Sequence, residues 1–109
     1  MLNFYGITNL GLQSTICIKP SDSVSGQIES TGAWEPEIVN NVIRGMEAYP
    51  SAVFLDVGAN IGMYTVMIAA MKRKVIAVDA DPKNLAYVRQ SLAIEKTTKY
   101  VDLIYNAIR

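Results

Sequence analysis

A chain of 109 residues is one domain at most. Half of it is hydrophobic and 18% is charged, which excludes intrinsic disorder, and ten Lys and Arg against ten Asp and Glu leave no basic field for nucleic acid or an acidic membrane. One cysteine and no histidine exclude a disulfide framework, a Cys/His zinc site and a Ser-His-Asp triad, so Cys17 reads as a small packed hydrophobe and no metal site is expected.

Met1 to Ser14 carries little pattern and reads as a lead-in, without the basic region and continuous apolar core of a signal peptide. No apolar run approaches the ~20 residues that span a bilayer, so a soluble, cytoplasmic setting is expected. Thr15 to Lys19, TICIK, alternates as a half-buried strand does and stops at Pro20. Val24 to Glu29 then returns as a second short strand, which predicts a hairpin within residues 1–30. Pro36 suits the first turn of a helix, where its missing N–H has no partner to lose. That helix is predicted to run to about Ala48, with Ile38, Val39, Val42, Ile43 and Met46 on one apolar face and Trp34 as a packing anchor ahead of it.

Ala52 to Val57 is a short apolar run of the kind buried on both faces of a parallel sheet, interrupted by Asp56. Gly58, Asn60 and Gly62 follow at alternate positions, residues that accept positive φ or let a ligand approach the backbone. A second helix opens at Gly62 and runs to about Met71, apolar nearly all round, with Met63 and Tyr64 read as packing residues near the turn. Lys72-Arg73-Lys74 then opposes its negative end. A strand, a glycine turn and a helix place a ligand at the strand's carboxyl end. A dinucleotide needs G-x-G-x-x-G with no carboxylate beside the phosphates. Here the order is D-x-G-x-N-x-G, and a carboxylate ~4 Å from a diphosphate costs about 4 kcal/mol at an effective dielectric near 20. Asp56 favours instead a ligand with an ammonium and a second cation, which describes S-adenosylmethionine.

Val75 to Val78 is a second strand ending at Asp79, 21 positions after Gly58 and so at the spacing of an acid that binds a ribose. Asp81, just before Pro82, is assigned to capping the third helix, Pro82 to about Glu95. Leu85, Val88, Leu92 and Ala86 are placed on its sheet side, and Arg89, Gln90, Glu95 and Lys96 toward water. Tyr100 to Tyr105 is a third strand, and Asn106 follows it as a turn residue or a ligand contact.

FLDVGANIGMYT followed by VIAVDADPKNLAYV resembles the first two motifs of the class I, Rossmann-like S-adenosylmethionine-dependent methyltransferases, and the DVGANIG form is most similar to the FkbM family. GAWEPEIV, Gly32 to Val39, resembles the stretch ahead of the first motif, so the likeness runs from about Thr31 onward. It implies cofactor contacts from Asp56, Gly58, Asn60 and Gly62, with Asp79 on the ribose. It further implies Asn106 beside the adenine, with Ala107 or Ile108 on the ring face. Glu35 has two readings of equal weight, a reach toward the methionine end of the cofactor or capping of its helix. Where the family commonly has Glu-Pro, this chain has Asp79-Ala80, which shortens the reach and keeps the charge.

The fold class expected is α/β, a Rossmann-like parallel sheet of strand order 3-2-1 preceded by a β-hairpin and a helix. With no fourth strand, AVFLDV is left as an unpaired apolar edge, so the class I methyltransferase fold is expected to be incomplete. Residues 31–109 would be the N-terminal half of the domain and residues 1–30 its lead-in, the chain alone being inactive. The implied activity is methyl transfer to a hydroxyl oxygen of a small molecule or sugar, with no nucleic-acid partner; no catalytic residue is assigned. Two other classes stay open: an NAD(P)-dependent oxidoreductase, and a non-catalytic domain of this fold used for protein association.

Overall fold

Three short strands with β-branched and apolar residues at most positions pair in parallel in one sheet, seen here in a computed structural model that describes residues 3–19, 23–31 and 35–106. The sheet order is β3 (Phe54–Val57), β4 (Val75–Asp79), β5 (Val101–Tyr105), with Asp56 in register with Ala77 and Asp79 with Tyr105. The crossovers are α3 (Met63–Ala70) and α4 (Pro82–Glu95), which meet each other where Gly62 faces Val88. Parallel strands need such crossovers, and two successive ones running the same way lay their helices on one face. Val75 and Ala77 are fully buried there, with Asp56 and Asp79 nearly so.

The opposite face corrects the expectation that β3 is covered on both sides. Leu55 is 59% exposed, Val57 54% and Ile104 42%. The run is apolar on both faces, as for a strand between two helical layers, but among the described residues both crossover helices cover the same one.

The N-terminal hairpin also differs from the predicted one. Its strands are β1 (Asn3–Asn9) and β2 (Leu12–Ile18), paired antiparallel from Asn3 opposite Ile18 to Asn9 opposite Leu12. Residues read as a lead-in are therefore a strand, and the predicted second strand is instead helix α1 (Ser23–Thr31), with Val24 and Ile28 buried one turn apart. Leu10 and Gly11 form a two-residue connection with φ of 49° and 77°, the mirror-image turn whose twist matches antiparallel strands. The hairpin's Ile7, Ile16 and Ile18 join the same core as Val66, Met67 and Ile68 of α3. That explains a helix apolar on every side: the sheet covers one flank of α3 and the hairpin the other. Ser91 of α4 receives the Cys17 N–H at 2.7 Å, and burial pushes the Cys17 thiol up, consistent with a packing role.

Helix α2 (Pro36–Ala48) has the expected bounds, with Val39, Ile43 and Met46 buried at i, i+4 and i+7. Ile38 lies one residue off that stripe and is 49% exposed, against expectation. Ala86 likewise faces out, while Leu85, Val88 and Leu92 are buried as expected. The cationic run divides: Arg73 donates to the carbonyls of Met46, Tyr49 and Ala52 at 2.6, 2.8 and 3.0 Å, closing the last turn of α2, and Lys74 pairs with Asp102 at 2.8 Å. No described helix is long and apolar enough to cross a membrane. The expectations placed on Pro20, Trp34, Ala107 and Ile108 lie outside the described residues.

Candidate functional site

The turn after β3 is tied to the end of β4 rather than left open. Gly58 and Ala59 donate their N–H groups to the Val78 carbonyl at 2.8 and 3.0 Å, Asn60 donates its N–H to Asp79 Oδ2 at 2.8 Å, and Gly62 donates to the Ala59 carbonyl at 2.9 Å. Gly58, Asn60 and Gly62 have φ of 75°, 56° and 95°, the left-handed backbone their residue types announced. Gly62 is needed twice, because a Cβ there would also lie 2.8 Å from Val88 Cγ2, so glycine lets α3 and α4 approach.

Gly62 is the N-cap of α3 and has no side chain to satisfy the helix's first N–H groups, a task that falls to Asp56. Its carboxylate accepts the Thr65 hydroxyl at 2.6 Å and also the Thr65 N–H, at the third position of the helix. Burial pushes the Asp56 carboxyl up; the two Thr65 bonds pull it back down, and the Asp79 charge adds to the rise. Asp56 and Asp79 thus sit on one face of the sheet, near enough for their charges to interact.

Asp79 ends β4 with both oxygens engaged. Besides Asn60, it accepts the Asp81 N–H at 2.8 Å and Asn84 Nδ2 at 3.2 Å on Oδ1. Asp81 caps α4 as expected, accepting the Lys83 N–H at 2.9 Å. Asn106 follows β5 and donates its N–H to the Asp79 carbonyl at 3.1 Å, so it stands beside that strand end.

A hollow of about 180 Å³ opens at the turn, lined by Gly58, Ala59 and Asn60 with Glu35 and Tyr64 and by apolar Val24, Ile61 and Met63. Neither Asp56 nor Asp79 lines it; both lie behind the turn and hold it. Glu35 does not cap α2 with its side chain: its carbonyl receives Ile38 and Val39, its φ is 46°, and its carboxylate accepts the Tyr64 hydroxyl at 2.8 Å. Burial, with help from Glu35, pushes the Tyr64 phenol up to about 12. Tyr64 is therefore a fixed donor at neutral pH and no base.

All seven predicted residues gather at the carboxyl ends of the strands: Gly58, Asn60 and Glu35 at the hollow, Asp56, Gly62 and Asp79 behind it, Asn106 next to Asp79. Tyr64 as the holder of Glu35, Thr65 as the partner of Asp56 and Asn84 as the partner of Asp79 were not anticipated. The signal for Thr65 was its third place after an N-cap glycine, and for Asn84 its place in the first turn after Asp81-Pro82. A larger hollow, about 580 Å³, lies away from these strand ends between the hairpin and Glu95.

Solved structures share this fold. Wild-type Trm5b from Pyrococcus abyssi superposes over 91% of this chain with a TM-score of 0.56 at 18% identity. The Pyrococcus abyssi tRNA (uracil-54, C5)-methyltransferase, solved with S-adenosyl-L-homocysteine, covers 97% with a TM-score of 0.56 at 14% identity. The fold is that of a class I methyltransferase domain. The chain spans 27% and 24% of the lengths of those two proteins. No protein-family model matches the sequence, and no curated protein does.

Proposed function

We propose that this chain carries the S-adenosylmethionine-binding part of a methyltransferase. The observation that carries the reading is a glycine turn whose amides are spent inside the protein and which is backed by two carboxylates. Anion sites at helix N-termini work by offering free N–H groups. Here the N–H groups of Gly58, Ala59, Asn60 and Gly62 all go to protein acceptors, and Asp56 and Asp79 place negative charge behind the turn. A pyrophosphate would find those four donors already taken and two carboxylates behind the turn, which speaks against the oxidoreductase reading. A cationic amino-acid end suits the same place, since the hollow offers the Glu35 carboxylate above apolar walls.

On this reading Glu35 takes the ammonium, Tyr64 keeps Glu35 in position, Asp79 accepts from the ribose and Asn106 flanks the base. The likeness of DVGANIG and GAWEPEIV to the FkbM family supports a hydroxyl oxygen of a small molecule or sugar as acceptor. When bound, S-adenosylmethionine supplies the activated methyl; the chain's own work is to hold and orient it and to keep water away. The open face of Leu55, Val57 and Ile104, and the quarter-length overlap with the solved relatives, support reading residues 31–109 as part of a larger catalytic domain.

A second reading of the acceptor rests on the neighbour whose name is a tRNA methyltransferase. The balance of ten cations against ten anions favours the first, because phosphate backbones are bound by excess positive charge. Incubation with methyl-labelled S-adenosylmethionine, with label then sought in polyhydroxylated small molecules and in total tRNA, separates them. Label in the small-molecule fraction supports the proposed acceptor and label in tRNA replaces it, whereas failure to bind S-adenosylhomocysteine speaks against the methyltransferase reading itself.

A further inference from the structure

The hollow of about 580 Å³ at the hairpin shares no lining residue with the one at the glycine turn. Thr8, Gln13, Ser14, Thr15 and Glu95 line it, and Ile7 is its single apolar side chain. Gly6, inside β1, leaves open space where a side chain would stand, and a glycine within a strand is one mark of a place that a ligand approaches closely. Ser14 is 6% exposed, and its hydroxyl has no protein partner. An apolar ligand would leave these groups unpaired. A sugar brings hydroxyls that donate to the Glu95 carboxylate and exchange hydrogen bonds with the others.

Gln13 and Glu95 also line a second hollow, of about 290 Å³, together with Lys72, Lys96, Thr97 and Lys99. Its lysines lie on the connections from α3 to β4 and from α4 to β5, so it opens at the amino ends of the strands, away from the glycine turn. Thr97 is 9% exposed, and its hydroxyl also lacks a partner. Among the described residues none of the three lysines forms an ion pair, and Lys99 lies over the Tyr100 ring at 5.2 Å. Lys72 and Lys96 have φ of 61° and 57° at helix ends, where glycine would stand at less cost. Three ammonium groups outweigh one carboxylate and two helix C-termini of about half a negative charge each, leaving about one positive charge. That suits a single phosphate group and is too little for a nucleic-acid backbone.

We propose that the two hollows form one site for a sugar phosphate, with its hydroxyls between the hairpin and Glu95 and its phosphate among Lys72, Lys96 and Lys99. The site is separate from the cofactor hollow and does not rest on the methyltransferase reading.

Titration of the nitrogen-15-labelled chain with glucose 6-phosphate, glucose and inorganic phosphate, followed by amide NMR shifts, tests it. Glucose 6-phosphate should bind saturably and move the amides of Thr8, Ser14 and Thr97 while those of Gly58, Ala59 and Asn60 stay in place. It should bind at least about tenfold more tightly than either glucose or inorganic phosphate. Lys72→Met and Lys96→Met, at exposed positions, should each weaken it about tenfold, and Glu95→Gln should narrow its margin over inorganic phosphate. Melting curves confirm that the variants fold. The inference is overturned if glucose 6-phosphate does not saturate, binds no more tightly than inorganic phosphate, or keeps its affinity in both lysine variants. Each of those results leaves the cofactor reading standing, because binding of S-adenosylhomocysteine tests that reading at the other hollow.

Discussion

Replacing Gly62 by alanine probes the joint that holds the candidate site together. The new methyl would lie 2.8 Å from Val88 Cγ2 and 3.3 Å from Cγ1, at a backbone φ of +95°. Val88 cannot swing aside cheaply, because it is fully buried and a β-branched residue in a helix has one dominant rotamer. The left-handed backbone costs about 1–2 kcal/mol for an L-residue, and overpacking adds about 1–3 kcal/mol, so the total is about 2–5 kcal/mol. Domains of this size have about 5–15 kcal/mol of stability, which makes the substitution severe. Gly58→Ala is the internal control: its φ is +75°, but nothing lies within 4 Å of the added carbon, so only the backbone cost of about 1–2 kcal/mol applies. Urea unfolding followed by circular dichroism should show Gly62→Ala unfolding at lower denaturant than Gly58→Ala, and the gap should close in a Val88→Ala background. Equal losses for the two glycines would refute the claimed approach of α3 to α4.

Three further outcomes follow from the same geometry. Burial raises the Asp56 carboxyl above its ordinary 3.8, so the folded state holds that proton more tightly than the unfolded chain; stability should fall as pH rises from there through the folded value, and Asp56→Asn should flatten that slope in melting temperatures measured from about pH 3 to 7. An unchanged slope would mean that Asp56 is not the titrating group. The Tyr64 phenol should ionise only near 12, with stability lost as pH climbs past the ordinary 10.0, and Glu35→Gln should bring the ionisation part of the way down in a carbon-13 titration of the tyrosine rings. No movement would leave burial as the whole cause. Leu55→Lys, on the open face of β3, should change stability by no more than about 0.5 kcal/mol in urea unfolding; a larger loss would show that the face is covered.

The segments legible in the sequence were those where periodicity and punctuation agree. Pro36 and Ala48 bound α2, Pro82 and Glu95 bound α4, and Asp81 caps as its place before proline suggested. Asp56, Gly58 and Gly62 announced a strand, a turn and a helix because each residue type is expensive elsewhere. The hairpin was hidden because β1, NFYGITN, buries only Ile7 and Asn9, so its alternation is faint, and because its turn puts Leu10 in a left-handed conformation that leucine rarely adopts. Helix α1, SVSGQIEST, has poor helix formers and is held by Val24 and Ile28 in the common core. At the site, residue types were readable but partners were not. Asp56 is read as a cofactor contact, and its bond to Thr65 was not legible, since nothing in a linear pattern says which way a buried carboxylate turns.

The most direct test of the cofactor assignment is calorimetric titration of the wild type and Asp79→Ala with S-adenosylhomocysteine and, separately, NADH. The wild type should bind S-adenosylhomocysteine and not NADH, and Asp79→Ala should melt as a folded protein yet bind at least about tenfold more weakly. Binding of NADH in preference to S-adenosylhomocysteine, or undiminished affinity in Asp79→Ala, would contradict the account.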